Sequence, residues 1–459
     1  MSRIRRFAMA TLASVMALTV FTTVSYAQTA SPSTNNPINH IIVIYLENHS
    51  FDELYGQFPG ANGLSNAKNA PPQVDKTGAV YKTLPQPIDT TLKTPGPDSR
   101  FPADLPNASF PIEQYVPIQQ KTGDLVHRYY QEQYQIDGGK MDKFVAWSDS
   151  AGLSMGYYQT SELPMYKYAQ QYTLADNFFH AAFGGSYLNH IFMICACATK
   201  WPNAPDDKLI KLDSNGVVTT DGIVTPDGYA VNTSYSSIAP HPKTVDDAHL
   251  MPPFTETTIG DRLSEKNVNW AWYAGGWNNA VAGTPDALYQ FHHQPFSYFK
   301  NYGLGTDGGK QHLKDITDFR AALNDGSLPA VSFVKPLGDY NEHPGYTDTM
   351  RGDTATAALV DAIQSSAVWK DSAIIVTYDE NGGQWDHVAP PTVDKWGPGS
   401  RVPTIIISPY AKKGFIDHTQ MDTTSILAFI EARYGLQPLG TRDAKVANMM
   451  DAFDFTQKP

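Results

Sequence analysis

Cysteine is almost absent: two stand in 459 residues, so no disulfide framework carries this chain and its stability has to come from a core. The two are Cys195 and Cys197. A bridge between them would close a very tight loop and a zinc site would need more thiols at ligand spacing, so buried free thiols without chemistry are expected. Positive charge is short as well, with 34 lysines and arginines against 46 acidic residues and a formal net charge of −12. Nucleic acid and anionic membrane surfaces are held by positive fields, so neither is expected as a general partner. An anionic substrate would need positive charge concentrated in a cleft, from a bound metal or from histidines. Beyond the N-terminus no apolar run is long enough to cross a bilayer, so no transmembrane anchor is expected in the mature chain.

What is present describes a folded enzyme-sized chain. Charged residues make up only 17% and aromatics 12% of it, a balance that favours packing over disorder. At the N-terminus Arg3, Arg5 and Arg6 precede an apolar run from Phe7 to Phe21, and Ser25-Tyr26-Ala27 offers a small-x-small cleavage site. This predicts a signal peptide over residues 1–27, export to the bacterial periplasm or exterior, and one domain over residues 28–459. The Arg5-Arg6 pair leaves the twin-arginine route open beside the general secretory one.

Continuous apolar runs at Ile41–Leu46, Val268–Ala274, Ala330–Val334, Ala373–Tyr378 and Thr404–Ile407 predict strands buried on both faces. Helical periodicity lies between them: Asp353 as a cap before Leu359, Val360 and Ile363, and Thr424 before Ile426, Leu427, Ile430 and Tyr434, closed by Gly435. The alternation predicts an α/β fold, a mostly parallel central sheet sandwiched between helices, with the site outside the carboxyl ends of strands. Residues 201–242 carry Asn215-Gly216, Asp221-Gly222 and Asp227-Gly228 and read as a β-hairpin insertion bordering the pocket. Residues 62–110, rich in Pro, Asn and Thr, read as a long surface excursion.

The chemistry gathers at strand ends. One buried strand ends in Glu47-Asn48 and another in Asp379-Glu380. Three carboxylates and an amide aimed into one crevice would repel each other without a cation, so a divalent metal is expected there. In Phe183-Gly184-Gly185-Ser186 two glycines free the backbone for close approach to a ligand just before a hydroxyl. Ser186 is thus the candidate nucleophile, activated by the metal. His127, the neighbours His292 and His293, His343 and His387 are the candidate histidines; on a loop, His292 and His293 could grip one anion and one could protonate a leaving alkoxide. His40, His49, His241, His249, His312 and His418 read as structural, and His180 and His190 are left open.

Glu47-Asn48-His49-Ser50-Phe51-Asp52 resembles the ENxSFD signature of the bacterial phosphoesterase family that includes phospholipase C enzymes and acid phosphatase A. The resemblance continues through Asp176-Asn177-Phe178-Phe179, Gly184-Gly185-Ser186, Asn341-Glu342-His343-Pro344, Tyr378-Asp379-Glu380 and Trp385-Asp386-His387-Val388. It implies an alkaline phosphatase-like fold and a covalent phosphoenzyme. It also implies that Glu47, Asn48, Asp379 and Glu380 hold the metal, that Ser186 attacks, and that His127, His292, His293 and His343 surround the phosphoryl group. The phosphocholine-specific phospholipases of the family carry a threonine after Gly-Pro. Gly184-Gly185-Ser186 is similar instead to the acid phosphatase branch, so a phosphomonoesterase leads. A phospholipase C-type phosphodiesterase acting on phospholipid headgroups and an exported non-enzymatic metal-binding protein are the alternatives. Trp270, Trp272, Trp277 and Trp385 either cage a quaternary ammonium or are ordinary core. Asp386 and His387 read as a supporting layer or a second metal site, and the ion is zinc, calcium, magnesium or manganese.

Overall fold

The computed structural model describes residues 36–458, and the signal peptide expected over residues 1–27 lies outside them. Eight strands build the main sheet: β1 (His40–Leu46), β2 (Thr173–Ala175), β3 (Trp270–Ala274), β4 (Leu313–Asp315), β5 (Val331–Lys335), β6 (Ser372–Tyr378), β7 (Thr404–Ile407) and β8 (Phe415–Asp417). Across the sheet they run β4-β3-β5-β1-β6-β7-β2-β8. All neighbours are parallel except the two pairs made by β7, which lies antiparallel to β6 and to β2. Apart from His40, every residue of β1, β5 and β6 is buried. Successive side chains of a strand point to opposite faces, so burial at every position means that both faces are covered. Helix Ser186–Cys195 lies against helices Ile259–Glu265 and Thr424–Tyr434, and helix Pro164–Gln171 against Thr349–Gln364. The expected α/β sandwich is what forms.

Strand register sets up the site. Leu46 of β1 pairs with Tyr378 of β6, so Glu47 and Asp379 leave the sheet side by side. On the other flank Ile44 pairs with Val334, which brings the next residue of β5, Lys335, to the same carboxyl edge. All five apolar runs became strands. The three further strands, β2, β4 and β8, have three residues each, too short to give a run, and the direction of β7 follows from its connections and not from its composition.

Three expectations are corrected. Helix Thr349–Gln364 is capped by Asp348, which accepts from the Arg351 amide; Asp353 lies inside it, buried, and accepts from the Met165 amide at 2.9 Å, tying this helix to Pro164–Gln171. Cys195 and Cys197 are not free thiols but a disulfide, with Cα atoms 5.1 Å apart. Ala196 between them is left-handed (φ 49°, ψ 33°) as it closes helix Ser186–Cys195, and that reversal brings together two side chains that a helix or a strand would hold apart. The segment 62–110 is more than a surface excursion, since Leu84, Phe101, Leu105 and Phe110 are buried in the common core. In the insertion, Lys211–Leu212 and Val218–Thr220 pair as the expected antiparallel hairpin, turning at Gly216 with φ 78°.

Candidate active site

Ser186 is the first residue of helix Ser186–Cys195, so its hydroxyl stands where helix N–H groups favour an anion. The two glycines before it serve a different purpose from the one expected. A Cβ on Gly185 would lie 2.6 Å from the His127 carbonyl, and one on Gly184 would run into the Tyr129 amide. They therefore admit the His127–Tyr129 backbone, and it is this contact that seats His127 beside the serine. The loop is pinned from two sides. Asn189 accepts from the Ala182 amide at 2.9 Å and donates to the Ala182 carbonyl at 2.9 Å and the Gly184 and Gly185 carbonyls at 3.2 Å. Buried Glu132 accepts from the Gly184 amide at 2.6 Å and the Ser400 amide at 2.9 Å, with His180 Nε2 at 2.9 Å. His180 is thereby a partner of Glu132.

Glu47, Asn48, Asp379 and Glu380 are all fully buried at the strand ends. The Ser186 hydroxyl donates to Glu47 Oε2 at 3.1 Å. Glu47 Oε1 meets His293 Nε2 at 2.8 Å and is ion-paired with Lys335. Burial would raise the Glu47 carboxyl, but the charge of Lys335 and the hydrogen bond with His293 hold it well below the carboxylate range. Asp379 and Glu380 go the other way: burial, then Glu47 for the first and Asp379 for the second, push them well up. Asn48 takes φ 66° as β1 ends, a conformation asparagine tolerates. Its Nδ2 lies 3.0 Å from His343 Nε2 and 3.4 Å from His127 Nε2. Asn48 Oδ1, Asp379 Oδ2 and Glu380 Oε1 are buried without a hydrogen-bond partner. Unpaired buried oxygens are costly, and hard oxygen donors beside two such carboxyls are what a divalent cation would take.

The histidines divide. His127 Nδ1 faces the Leu125 carbonyl and His343 Nδ1 the Pro344 carbonyl, which leaves both Nε2 atoms toward Asn48. Burial lowers His343 from the usual imidazole range. His292 and His293 sit on a tight 3-10 turn, Phe291–His293, and not on an open loop. Burial pushes His293 down to about 4, and burial with the neighbouring His293 lowers His292. A cleft of about 210 Å³ is lined by Asp124, His127, Asp149, Ser186, Asn232 and Thr233 among others. The insertion thus borders it, as expected, through Asn232 and Thr233; His292 and His293 are not on its wall.

The last motif is organised around a fixed cation, although Asp52, Asp386 and His387 also present ligand atoms within 4.8 Å of one another. Arg401, fully buried, places its guanidinium between Asp386 (2.9 Å) and Asp52 (3.2 Å), and His387 Nδ1 lies 2.6 Å from Asp52. A cation already fills that group. Trp270, Trp272, Trp277 and Trp385 are buried core residues; Trp272 stacks on Phe333 and donates to the His293 carbonyl, and Trp385 donates to that of Met141. His40, His241 and His312 bond backbone carbonyls, while His49, His249 and His418 pair with Glu53, Asp207 and Asp176. Lys335, Glu132, Asn189 and Arg401 escaped the sequence reading. Lys335 carried a signal, since it follows the apolar run Ala330–Val334 just as Glu47 and Asp379 follow theirs.

The family model described as "Phosphoesterase family" matches residues 38–437. Phospholipase C B of Mycobacterium tuberculosis is 26% identical, covering 95% of this chain and 81% of its own. Non-hemolytic phospholipase C of Pseudomonas aeruginosa is 24% identical, covering 91% of this chain and 57% of its own. Among solved structures, a protein in the alkaline phosphatase superfamily from Vibrio parahaemolyticus is 12% identical with a TM-score of 0.35, covering 65% of each chain.

Proposed function

The chain belongs to the phosphoesterase family and is a hydrolase of phosphoric ester bonds, and from that premise we propose an exported, metal-dependent phosphomonoesterase of acid phosphatase type, acting through a phosphoserine at Ser186. The observation that carries this is the 3.1 Å hydrogen bond from Ser186 Oγ to Glu47 Oε2, at the edge where Asn48, Asp379 and Glu380 hold unpartnered oxygens. Glu47, Asn48, Asp379 and Glu380 are the proposed ligands of zinc, calcium, magnesium or manganese. A divalent ion bound there would neutralise phosphoryl charge and lower the pKa of the Ser186 hydroxyl. Glu47, kept ionised by Lys335 and His293, accepts the serine hydrogen bond and so orients Oγ without taking its proton. His343, whose Nε2 lies 3.9 Å from the Glu47 oxygen that holds the serine, receives that proton. The Oγ–phosphorus bond forms as the ester bond breaks, and His127, on the cleft wall, protonates the departing alkoxide. Water then attacks the phosphoserine, giving its proton back to His127, and as the Oγ–phosphorus bond breaks His343 returns its proton to Ser186, so that phosphate and the free serine are released. His292 and His293 act from behind Glu47.

The small cleft suits a compact phosphate ester, being below the roughly 300–1,000 Å³ of pockets that enclose drug-sized ligands. The relatives named phospholipase C favour a second reading, a diesterase that takes a phospholipid headgroup into the same cleft. Export is supported by the N-terminal pattern and by the Cys195–Cys197 bridge, which fits an oxidising compartment. The test is hydrolysis of p-nitrophenyl phosphate against p-nitrophenyl phosphorylcholine by purified protein, with and without chelator, beside Ser186→Ala. Faster serine- and metal-dependent cleavage of the monoester supports the reading; preference for the choline diester moves the protein to the phospholipases, and turnover by Ser186→Ala at the unaltered rate would sink the serine mechanism.

A further inference from the structure

Lys335 is the charged group at this centre to which the proposed chemistry gives no step of its own. It ends β5, fully buried. Its ammonium is ion-paired with Glu47 Oε1, donates to the Leu46 carbonyl at 3.2 Å and stands 4.0 Å from Asp379 Oδ2. Beside it is a second donor set. Glu47, His190 and His293 each present a ligand atom, all within 4.8 Å of one another. The His190 and His293 rings stack with centroids 5.1 Å apart, and His190 Nε2 is buried with no hydrogen-bond partner. One carboxylate and two neutral imidazoles are donors that zinc accepts readily. The ammonium and the His293 ring share one oxygen of Glu47, so Lys335 holds the oxygen a zinc ion would need.

We propose that Lys335 is a built-in cation that takes the second cation position of this centre: it confines the protein to a single divalent ion at Glu47, Asn48, Asp379 and Glu380, and without it the freed Glu47 Oε1 becomes, with His190 and His293, a second, zinc-binding site. The charges agree. Glu47, Asp379 and Glu380 carry three negative charges when ionised, which one divalent ion and one ammonium balance. A further ion at Glu47 Oε1 would have to displace the ammonium paired with that oxygen, so it is opposed while the lysine stays. The inference rests on the metal-binding part of the proposed function, and the experiment separates the two.

The full chain, stripped with chelator, is titrated with zinc alone by calorimetry, and its metal content is measured after dialysis, for wild type, Lys335→Met and Lys335→Met/His190→Ala. About one ion per chain is expected for wild type, about two for Lys335→Met, and about one again for the double variant. Lys335→Met holding one ion, wild type holding two, or the double variant keeping two would each overturn the role given to Lys335. Wild type binding no zinc, and no calcium, magnesium or manganese when titrated in the same way, would overturn the metal site of the proposed function instead. Where Lys335→Met is too unstable to titrate, Lys335→Gln keeps a donor for the Leu46 carbonyl. Its melting temperature should rise with zinc in two saturating steps where wild type shows one, and a single step overturns the proposal.

Discussion

Gly185→Ala isolates what the glycine pair does. Gly185 has φ −89° and ψ −175°, backbone that alanine adopts freely, so no conformational strain enters and the effect is one of contact alone. The new Cβ would lie 2.6 Å from the His127 carbonyl oxygen and 3.1 Å from His127 Cδ2. The nearer contact has to open by about 0.4 Å to reach the 3.0 Å that Cβ atoms tolerate. Retreat is hindered on both sides, because Asn189 and Glu132 pin the glycine loop and His127 Nδ1 is tied to the Leu125 carbonyl. Overpacking of this kind costs about 1–3 kcal/mol. With an unfolding entropy near 2.1 cal/mol/K per residue, each kcal/mol is worth about 1 °C in a domain of this size, so the melting temperature should fall by about 1–3 °C. Activity is the more sensitive readout: displacements approaching 1 Å cost on the order of 10²-fold, so kcat for p-nitrophenyl phosphate should fall about 10- to 100-fold while the fold survives. Gly96→Ala, whose Cβ meets nothing within 4 Å, is the control expected to change neither. Gly185→Ala at the wild-type kcat would refute the view that these glycines seat His127 against the nucleophile.

Other perturbations test other parts. His127→Gln should slow alkyl phosphates about 10-fold more than p-nitrophenyl phosphate, whose leaving group needs no proton, and an equal loss on both would remove His127 as the general acid. Arg401→Met should cost about 3–5 kcal/mol, because Asp52 and Asp386 are left buried without their cation. Thermal melts should show that loss equally with and without chelator, and a loss seen only in loaded protein would return the group to a metal site. Burial raises Glu342 to about 7, above its ordinary 4.5. The folded state therefore binds the extra proton across that window, and the stability it contributes is full below about 4.5 and lost as pH rises through about 7. Glu342→Gln should escape that loss, so its melting temperature should gain on wild type between pH 4.5 and 7; parallel profiles would contradict this.

Much of the fold was legible because parallel strands covered on both faces must be apolar at every position, and β1, β3, β5, β6 and β7 announce themselves as uninterrupted runs. Glu47, Asn48, Asp379 and Glu380 were legible for the same reason, since polar residues that follow such runs stand at the edge of the sheet. Ser186 was singled out through its glycines, although the glycines answer to the His127 backbone. The bridge between Cys195 and Cys197 was missed because spacing alone does not show the left-handed turn at Ala196.

Sequence by itself determined the apolar runs, the strand-end carboxylates and the motif spacing, because these depend on residues near each other along the chain. Tertiary structure alone decided which strand ends become neighbours: Leu46 beside Tyr378 and Ile44 beside Val334 bring Asp379 and Lys335, each nearly 300 residues or more further along the chain, to the edge that Glu47 leaves. It likewise decided that Arg401 lies between Asp52 and Asp386, and that His293 turns to Glu47 and not into the cleft. Charge interactions act through space and depend on burial, so which carboxyl is held down and which is pushed up is fixed only once the sheet has set those distances.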